Sequence, residues 1–210
     1  MGGMTRVVLV RHGETDWNRE GRWQGHADPG LNELGWRQAD ATAARLAREY
    51  PGAPLVTSDL RRAAETASRA AAALGVSPAL DARLREVDVG DWSGLTRDQV
   101  RERDEDGYLA WEMGLNHGYP GGETFAQLAD RATAAMTDLF EQHSGGTVIA
   151  VCHGGTIRAM VASALSIGDA GRRLLATGPN GSLSVLDTRR GGGIGLLSLN
   201  DAGHLAFDLV

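Results

Sequence analysis

Two short segments of this 210-residue chain share one layout, an apolar run that ends in a histidine followed by glycine. The first is Val7–Gly13 (VVLVRHG) and the second is Val148–Gly155 (VIAVCHGG). Continuous apolar runs are typical of strands buried in a parallel sheet. Ligands bind outside the carboxyl ends of such strands. If the two strands are neighbours, His12 and His153 meet beside Arg11, and the sequence predicts a site for an anionic group, most simply a phosphate.

The rest of the chain alternates strand-like runs with helical periodicity, which predicts an α/β fold with a mostly parallel sheet. Glycines between the last two strands, at Arg189–Gly193, predict a hairpin. Predicted strands are 7–10, 55–57, 147–151, 183–187 and 194–199, with a short extended piece at 79–84. Predicted helices are 32–49, one that opens at the arginine pair 61–62 and ends at 74, one from the capping box at 124 to about 143, and 156–165.

Length and composition predict a single domain, 1–210. The net charge of -6 shows no excess of positive charge of the kind that nucleic-acid-binding proteins carry. No apolar run approaches the roughly 20 residues that a membrane helix needs. No secretory signal is visible, and the single cysteine, Cys152, excludes an intramolecular disulfide, so a cytoplasmic location is expected. All 21 basic residues are arginine, which removes any mechanism that needs a lysine.

The segment from about Val87 to Gly122 departs from this alternation and is predicted to be a cap-like insertion. It holds two of the five tryptophans, Trp92 and Trp111, and a capping-box spacing at Thr96 predicts a short helix. The tryptophans are expected to pack as anchors of a loop-rich segment, with substrate-facing walls as the alternative. The role of His117 in this segment stays open.

His12 has the chemistry of a nucleophile toward phosphorus, which requires a neutral imidazole with a fixed tautomer. Arg11 offers a planar fork that matches phosphate oxygens. The alternative is a plain loop with a solvated arginine.

Three further segments can complete such a site. The pair Arg61-Arg62 opens a helix at a strand exit, where one arginine can face the sheet end and its neighbour must point elsewhere, the alternative being two solvated arginines. Glu86 can donate a proton to a leaving oxygen and then accept one from water, the alternative being a surface salt bridge. His153 opens a helix whose backbone amides can add to the anion site.

The order and spacing of these motifs resemble the histidine phosphatase superfamily, also called the phosphoglycerate mutase-like family, over nearly the whole chain. The resemblance implies a three-layer fold with helices on both faces of the sheet and a small cap insertion. It implies that His12 is the phosphorylated nucleophile and Glu86 the proton donor. The residues implied to bind the phosphoryl group are Arg11, Arg62 and His153. Those that match pocket-lining positions are Asn18 and Gln24. The motifs are RHGETxxN (11–18), RxQGxxD (22–28), SxLxRA (58–63), LxE (84–86) and HGG (153–155).

The remaining histidines match no catalytic position of this family. His26, His117 and His143 are expected at the surface or in the cap. His204 lies in a C-terminal pattern found in some relatives and is placed by that resemblance at the pocket rim.

The family contains mutases and phosphatases, and mutases use a lysine and paired arginines after the proton donor. This chain has no lysine, and its segments 87–96 and 120–124 resemble the phosphatase branch. Within that branch it resembles actinobacterial broad-specificity acid phosphatases and glucosyl-3-phosphoglycerate phosphatases. The prediction is a metal-independent phosphatase of small-molecule phosphate esters, with no cofactor, no nucleic-acid or membrane partner, and a homodimer left open.

Three alternatives remain. The first is a mutase-type phosphotransferase, and the second is a phosphate-binding regulator without catalysis. The third is a metal-dependent hydrolase with His12, Glu86 and His153 as ligands, although the tight His-x-x-x-His spacing of zinc sites is absent.

Overall fold

The computed structural model describes residues 3–115, 117–189 and 192–208. Within them the strands are β1 (Arg6–Arg11), β2 (Leu55–Thr57), β3 (Ala79–Leu80), β4 (Thr147–Cys152), β5 (Leu183–Thr188) and β6 (Ile194–Asp201). They form one sheet in the order β3-β2-β4-β1-β5-β6. The first four strands run parallel, β5 is antiparallel to β1, and β6 is antiparallel to β5. The α/β class and the mostly parallel sheet are confirmed.

The helices cover both faces of the sheet. They are α1 (Asp16–Arg19), α2 (Glu33–Glu49), α3 (Arg61–Leu74), α4 (Arg97–Arg103), α5 (Glu105–Met113), α6 (Phe125–Gln142), α7 (Gly154–Ala164) and α8 (Asp169–Arg172). Short 3-10 turns lie at Ala82–Leu84, Gly90–Trp92 and Gly203–Asp208. The capping boxes predicted at Thr96 and Thr124 are present, and each starts its helix by satisfying free backbone amides.

Alternating side chains of β1 divide the core into two halves, as strand geometry requires. Val8 and Val10 pack with residues of α2 and α3 on one face. Val7 and Leu9 pack with residues of α6 and α7 on the other face. The predicted three-layer arrangement is therefore confirmed. It leaves the carboxyl ends of β1 and β4 side by side at one edge of the sheet.

The segment predicted as a cap contains α4 and α5 and is anchored by aromatic packing. Trp92 is buried, and its ring lies 5.6 Å from that of Trp23 and 5.3 Å from that of Tyr119. Trp111 meets Trp23 edge to face at 5.0 Å. The anchoring role expected for the two cap tryptophans agrees with these contacts.

Several boundaries differ from the sequence prediction. The structure adds the short helix α1 inside the loop predicted after β1, because Thr15 forms a capping box with Asn18. Helix α7 begins at Gly154, two residues before the predicted start. The last two strands do form the predicted antiparallel pair, but Arg190 and Gly191 of its turn lie outside the described residues. None of the described helices combines the length and hydropathy that a bilayer-spanning segment requires.

Candidate active site

Two buried histidines meet where β1 and β4 end. His12 directly follows β1, His153 directly follows β4, and the parallel register pairs Arg11 with Cys152 at the last step. The two imidazole rings lie 5.1 Å apart, centroid to centroid. The structure thus brings together the two histidines that the sequence singled out.

A cleft opens at this edge of the sheet, and six of the seven predicted site residues line it. They are Arg11, His12, Asn18, Gln24, Arg62 and Glu86. The seventh, His153, is fully buried and packs against the ring of His12 instead of lining the cleft.

The environment of His12 fixes both its tautomer and its charge. Nδ1 lies 2.7 Å from the carbonyl oxygen of Gly13, to which it donates its proton, so the lone pair is on Nε2. Burial lowers the pKa of His12 well below its ordinary value of 6.5, and the positive charges of Arg62 and Arg11 lower it further. The imidazole is therefore neutral at pH 7, as a nucleophile must be.

Arg62 is buried and held by the loop after α1. Its guanidinium donates to the carbonyl oxygens of Ala27 at 2.7 Å and Gly25 at 2.8 Å. Burial lowers its pKa to about 10, which still leaves it charged at neutral pH. Its neighbour Arg61 is exposed and pairs with Glu65. One arginine of the pair faces the sheet end and the other faces solvent, as the sequence predicts.

Among the seven predicted site residues, three buried nitrogens lack a hydrogen-bond partner in the described part of the chain. They are Nε of Arg11, Nε of Arg62 and Nδ1 of His153. Arg11 also donates through its guanidinium to the carbonyl of Gly178. Buried polar groups are rarely left unpaired, so a cluster of them beside one cleft fits an anionic ligand.

Glu86 is oriented through both carboxylate oxygens. Oε2 accepts from the backbone amide of Gly155 at 3.1 Å, and Oε1 accepts from the amide of Val87 at 2.9 Å. A Cβ atom at Gly155 would lie 2.4 Å from Oε1, so only glycine permits this approach. The expectation that the helix amides add to the anion site is wrong for Gly155, whose amide holds the carboxylate.

The loop that carries Glu86 is fixed from two sides. Arg131 of α6 donates to the carbonyl oxygens of Arg83, Arg85 and Glu86 at 2.6 to 2.9 Å. His26 lies 2.9 Å, through Nε2, from the same Glu86 carbonyl. His26 was expected at the surface or in the cap. It is half-buried instead and supports the site, because the loop after α1 folds back over this segment.

Two polar residues that support the histidines were not predicted as site residues. The Nδ2 amide of Asn180 donates to the carbonyl oxygen of His12 at 3.0 Å and lies 3.3 Å from Oδ1 of Asn18. Ser58 Oγ lies 2.9 Å from Nε2 of His153. Ser58 belongs to a quoted motif and could have been found there, whereas Asn180 sits in a turn sequence that marks only a loop.

The prediction for His204 is wrong. It lies away from the cleft, 3.1 Å from the Thr42 hydroxyl and 3.2 Å from the guanidinium of Arg45. The final 3-10 turn packs on α2, which draws this histidine to the outer side of that helix.

The described residues contain no group of three or more His, Cys, Asp or Glu side chains arranged to hold a metal ion. The donors that converge at the cleft are arginine and imidazole nitrogens, which suit an anion.

Comparisons with known proteins agree with this geometry. A sequence model described as the histidine phosphatase superfamily (branch 1) matches residues 7–202. A bifunctional protein of Mycobacterium tuberculosis is 35% identical over 204 residues, which cover 97% of this chain and 56% of that protein. The chain thus spans little more than half the length of that curated relative.

Two further relatives are similar over more of their own length. A metal-independent phosphoserine phosphatase of Arabidopsis thaliana is 37% identical over 206 residues, covering 97% of this chain and 84% of that protein. The structure of a mycobacterial glucosyl-3-phosphoglycerate phosphatase in complex with VO3 is 34% identical with a TM-score of 0.87, covering 94% of this chain and 99% of that one.

Proposed function

The chain belongs to the histidine phosphatase superfamily, and from that premise we propose that it hydrolyses phosphomonoesters through a phosphohistidine on His12. The observation that carries the proposal is the neutral imidazole of His12, whose lone pair is on Nε2 and which lies near the positive charges of Arg62 and Arg11. A free lone pair beside fixed positive charge is the arrangement that phosphoryl transfer requires.

In the first step, Nε2 of His12 attacks phosphorus, the new N–P bond forms, and the ester P–O bond breaks. Glu86 gives its proton to the leaving oxygen. In the second step, Glu86 takes a proton from water, the water oxygen attacks phosphorus, and the N–P bond breaks to release inorganic phosphate. The protein returns to its starting state, so every proton and bond is accounted for.

The other site residues hold the transferring group. Arg11 and Arg62 offer charged donors to the phosphoryl oxygens, and their unpartnered Nε atoms support this role. His153 supplies a further donor and is fixed by Ser58. Asn18 and Gln24 line the cleft and bind the substrate near the reacting group.

The substrate class that we propose is a small-molecule phosphate ester. The similar proteins are named as phosphatases of glucosyl-3-phosphoglycerate and phosphoserine, and both compounds belong in a first substrate screen. A mutase-type transfer remains the second candidate, favoured by a relative named as a phosphoglycerate mutase-like protein. A mutase assay run beside the phosphatase assay separates the two, because only hydrolysis releases inorganic phosphate.

Trapping the intermediate tests the mechanism. Brief incubation with a ³²P-labelled substrate followed by acid-free denaturing quench should leave label on the wild-type protein and none on His12→Ala. The control is His117→Ala, which removes an exposed histidine of the cap segment and should keep the label. Turnover by His12→Ala would contradict the phosphohistidine route. Loss of activity in excess chelator would instead favour the metal-dependent hydrolase.

Three finer expectations complete the proposal. A single domain with a cap at about 87–122 is supported by the one sheet that the described strands share. A cytoplasmic location is supported by Cys152, which is buried and free. The homodimer left open by the sequence is tested by light scattering coupled to size-exclusion chromatography.

A further inference from the structure

Arg158 lies on the wall of the cleft without an assigned role. It sits three and four residues after Gly155 and Gly154, which places it one turn further along the same face of α7. All three residues line the cleft, together with His12 and Tyr119. Arg158 is partly buried, and its Nε is fully shielded from solvent.

The guanidinium of Arg158 has no hydrogen bond or ion pair within the described ranges. The other arginines of the cleft are engaged. Arg62 donates to two backbone carbonyls, Arg11 to the carbonyl of Gly178, and Arg22 to the carboxylate of Glu20 at 2.6 Å. Leaving a partly buried charge unpaired costs free energy. Arg158 differs from the other arginines of the cleft because its guanidinium has no partner among the described residues.

The position of Arg158 suits a part of the substrate away from phosphorus. Arg11, Arg62 and the two histidines lie at the strand ends, where the reacting group is proposed to bind. The Cα atom of Arg158 lies about 5.4 Å, one helical turn, beyond the start of α7 along the helix axis. A side chain this long reaches a group that is separated from phosphorus by a few covalent bonds.

Tyr119 gives this part of the cleft a second polar group. Burial raises the pKa of Tyr119 to about 12, and the nearby charge of Arg158 acts in the opposite direction. The phenol is therefore neutral at pH 7 and keeps a proton to donate. A guanidinium and a phenol that line the same cleft are a donor set for a carboxylate or a phosphate.

Resting on the proposed function, we propose that Arg158 binds a second anionic group of the substrate. The chain then prefers phosphomonoesters whose carbon skeleton also carries a carboxylate or another phosphate. Compounds whose remaining part is uncharged bind through the phosphoryl group alone.

A matched set of substrates tests the inference. 3-Phosphoglycerate and glycerol 3-phosphate differ by a carboxylate in place of a hydroxymethyl group, and 1,3-propanediol bisphosphate supplies a second phosphate. The wild type should favour an anionic member over glycerol 3-phosphate by about 10- to 100-fold in kcat/KM, the size of one charged hydrogen-bonding contact. Preference for only one anionic member identifies which group binds.

Three variants isolate the arginine. Arg158→Gln should remove the preference while leaving kcat/KM for glycerol 3-phosphate within about twofold, and Arg158→Lys should retain part of the preference. Arg22→Gln is the matched control, because it removes an arginine of the same cleft that already has a carboxylate partner. The substrate ratio of this control should stay at the wild-type value.

Binding measurements separate this inference from the proposed function. Calorimetric titration of His12→Ala with the same three compounds should show the wild-type order of affinities, and the order should vanish in His12→Ala/Arg158→Gln. An equal loss for all compounds, or no preference in either assay, overturns the role of Arg158. If the affinities follow Arg158 while the wild type turns over none of the compounds, the proposed hydrolysis fails and the anion-binding role stands.

Discussion

The cleft combines charged arginines with neutral imidazoles in one buried environment. Burial lowers the pKa of His12 and of Arg62 alike, because both lose solvation of the charged form. The outcome differs because the starting values differ. Arg62, with a pKa of about 10, stays charged at pH 7, whereas His12 becomes reliably neutral. The same physical effect therefore yields both the neutral imidazole of the proposed nucleophile and the charged arginine beside it.

We expect Asn180 to position the proposed nucleophile. Its amide donates to the carbonyl of His12 and lies 3.4 Å from the carbonyl of Gly13, which in turn accepts from Nδ1 of His12. Removing the amide in Asn180→Ala frees the backbone that fixes the imidazole. We expect kcat to fall by about 10- to 100-fold, as for a small misplacement of a reacting group, with KM changed by less than about threefold.

Steady-state kinetics with one phosphomonoester measure this effect, and Asn180→Asp is the informative companion. Its carboxylate keeps the shape of the amide but turns a donor into an acceptor facing two carbonyl oxygens, so kcat should fall at least as far. A wild-type kcat in both variants would remove Asn180 from the mechanism. A matching rise in KM would indicate a substrate contact instead.

Helix α7 begins at the active site and brings Gly155 against Glu86. The substitution Gly155→Ala places a methyl group 2.4 Å from Oε1 of the carboxylate, which must then move. We expect kcat to fall by about 100-fold, because the proposed proton donor, Glu86, leaves its position while His12 is untouched. Phosphoenzyme labelling with a substrate that has a good leaving group, such as p-nitrophenyl phosphate, should survive, since such a group needs no proton.

Gly168→Ala is the control for this substitution. Gly168 precedes α8, and a Cβ atom there meets no atom of the described residues within 4 Å. Its activity should match the wild type, and circular dichroism should show both variants folded. A Gly155→Ala variant with normal kcat for every substrate would mean that the Glu86 carboxylate adapts without loss.

Elements with a local signal were predictable from the sequence. The apolar runs gave β1 and β4, and the capping boxes gave the starts of α4 and α6. Short elements were missed or given the wrong length. Helix α1 lies inside a predicted loop, and the extended piece predicted at 79–84 is a strand only at Ala79–Leu80. In these, tertiary contacts outweigh the weak local preference that a sequence pattern reports.

At the scale of the whole molecule, the sheet order decides which distant residues meet. The predicted histidines were found because each follows its own strand, and adjacent parallel strands deliver their ends to one edge. Asn180 and Arg158 have no comparable signal in the sequence, since neither directly follows a predicted strand. The hydrogen bond from Asn180 to His12 joins residues 168 positions apart in the sequence. That Arg158 has no hydrogen-bond partner among the described residues becomes evident only once its neighbours are placed.

Burial of two neutral histidines links the stability of the whole protein to pH. His12 and His153 both have pKa values lowered well below 6.5 by burial and by nearby arginines. In the unfolded chain they return to about 6.5 and take up protons below that pH. The unfolded state then binds more protons than the folded state, so the free energy of unfolding falls as pH falls from about 6.5. Above about pH 7.5 both states are neutral and this dependence ends.

Urea unfolding between pH 7.5 and 5 measures this linkage. Each histidine should contribute a slope approaching about 1.4 kcal/mol per pH unit at the acidic end of the range. Carboxylates such as Asp201, whose pKa is lowered to about 2 by Arg45, act only at lower pH. His204, whose pKa burial also lowers, adds to the slope in this window and is unchanged in the variants below. His12→Gln should reduce the slope by up to about 1.4 kcal/mol per pH unit, which corresponds to one proton. His117→Gln, at an exposed position, should leave the slope unchanged. An unchanged slope in His12→Gln/His153→Gln would show that other groups take up the protons, and the neutrality on which the nucleophile depends would then lose its thermodynamic support.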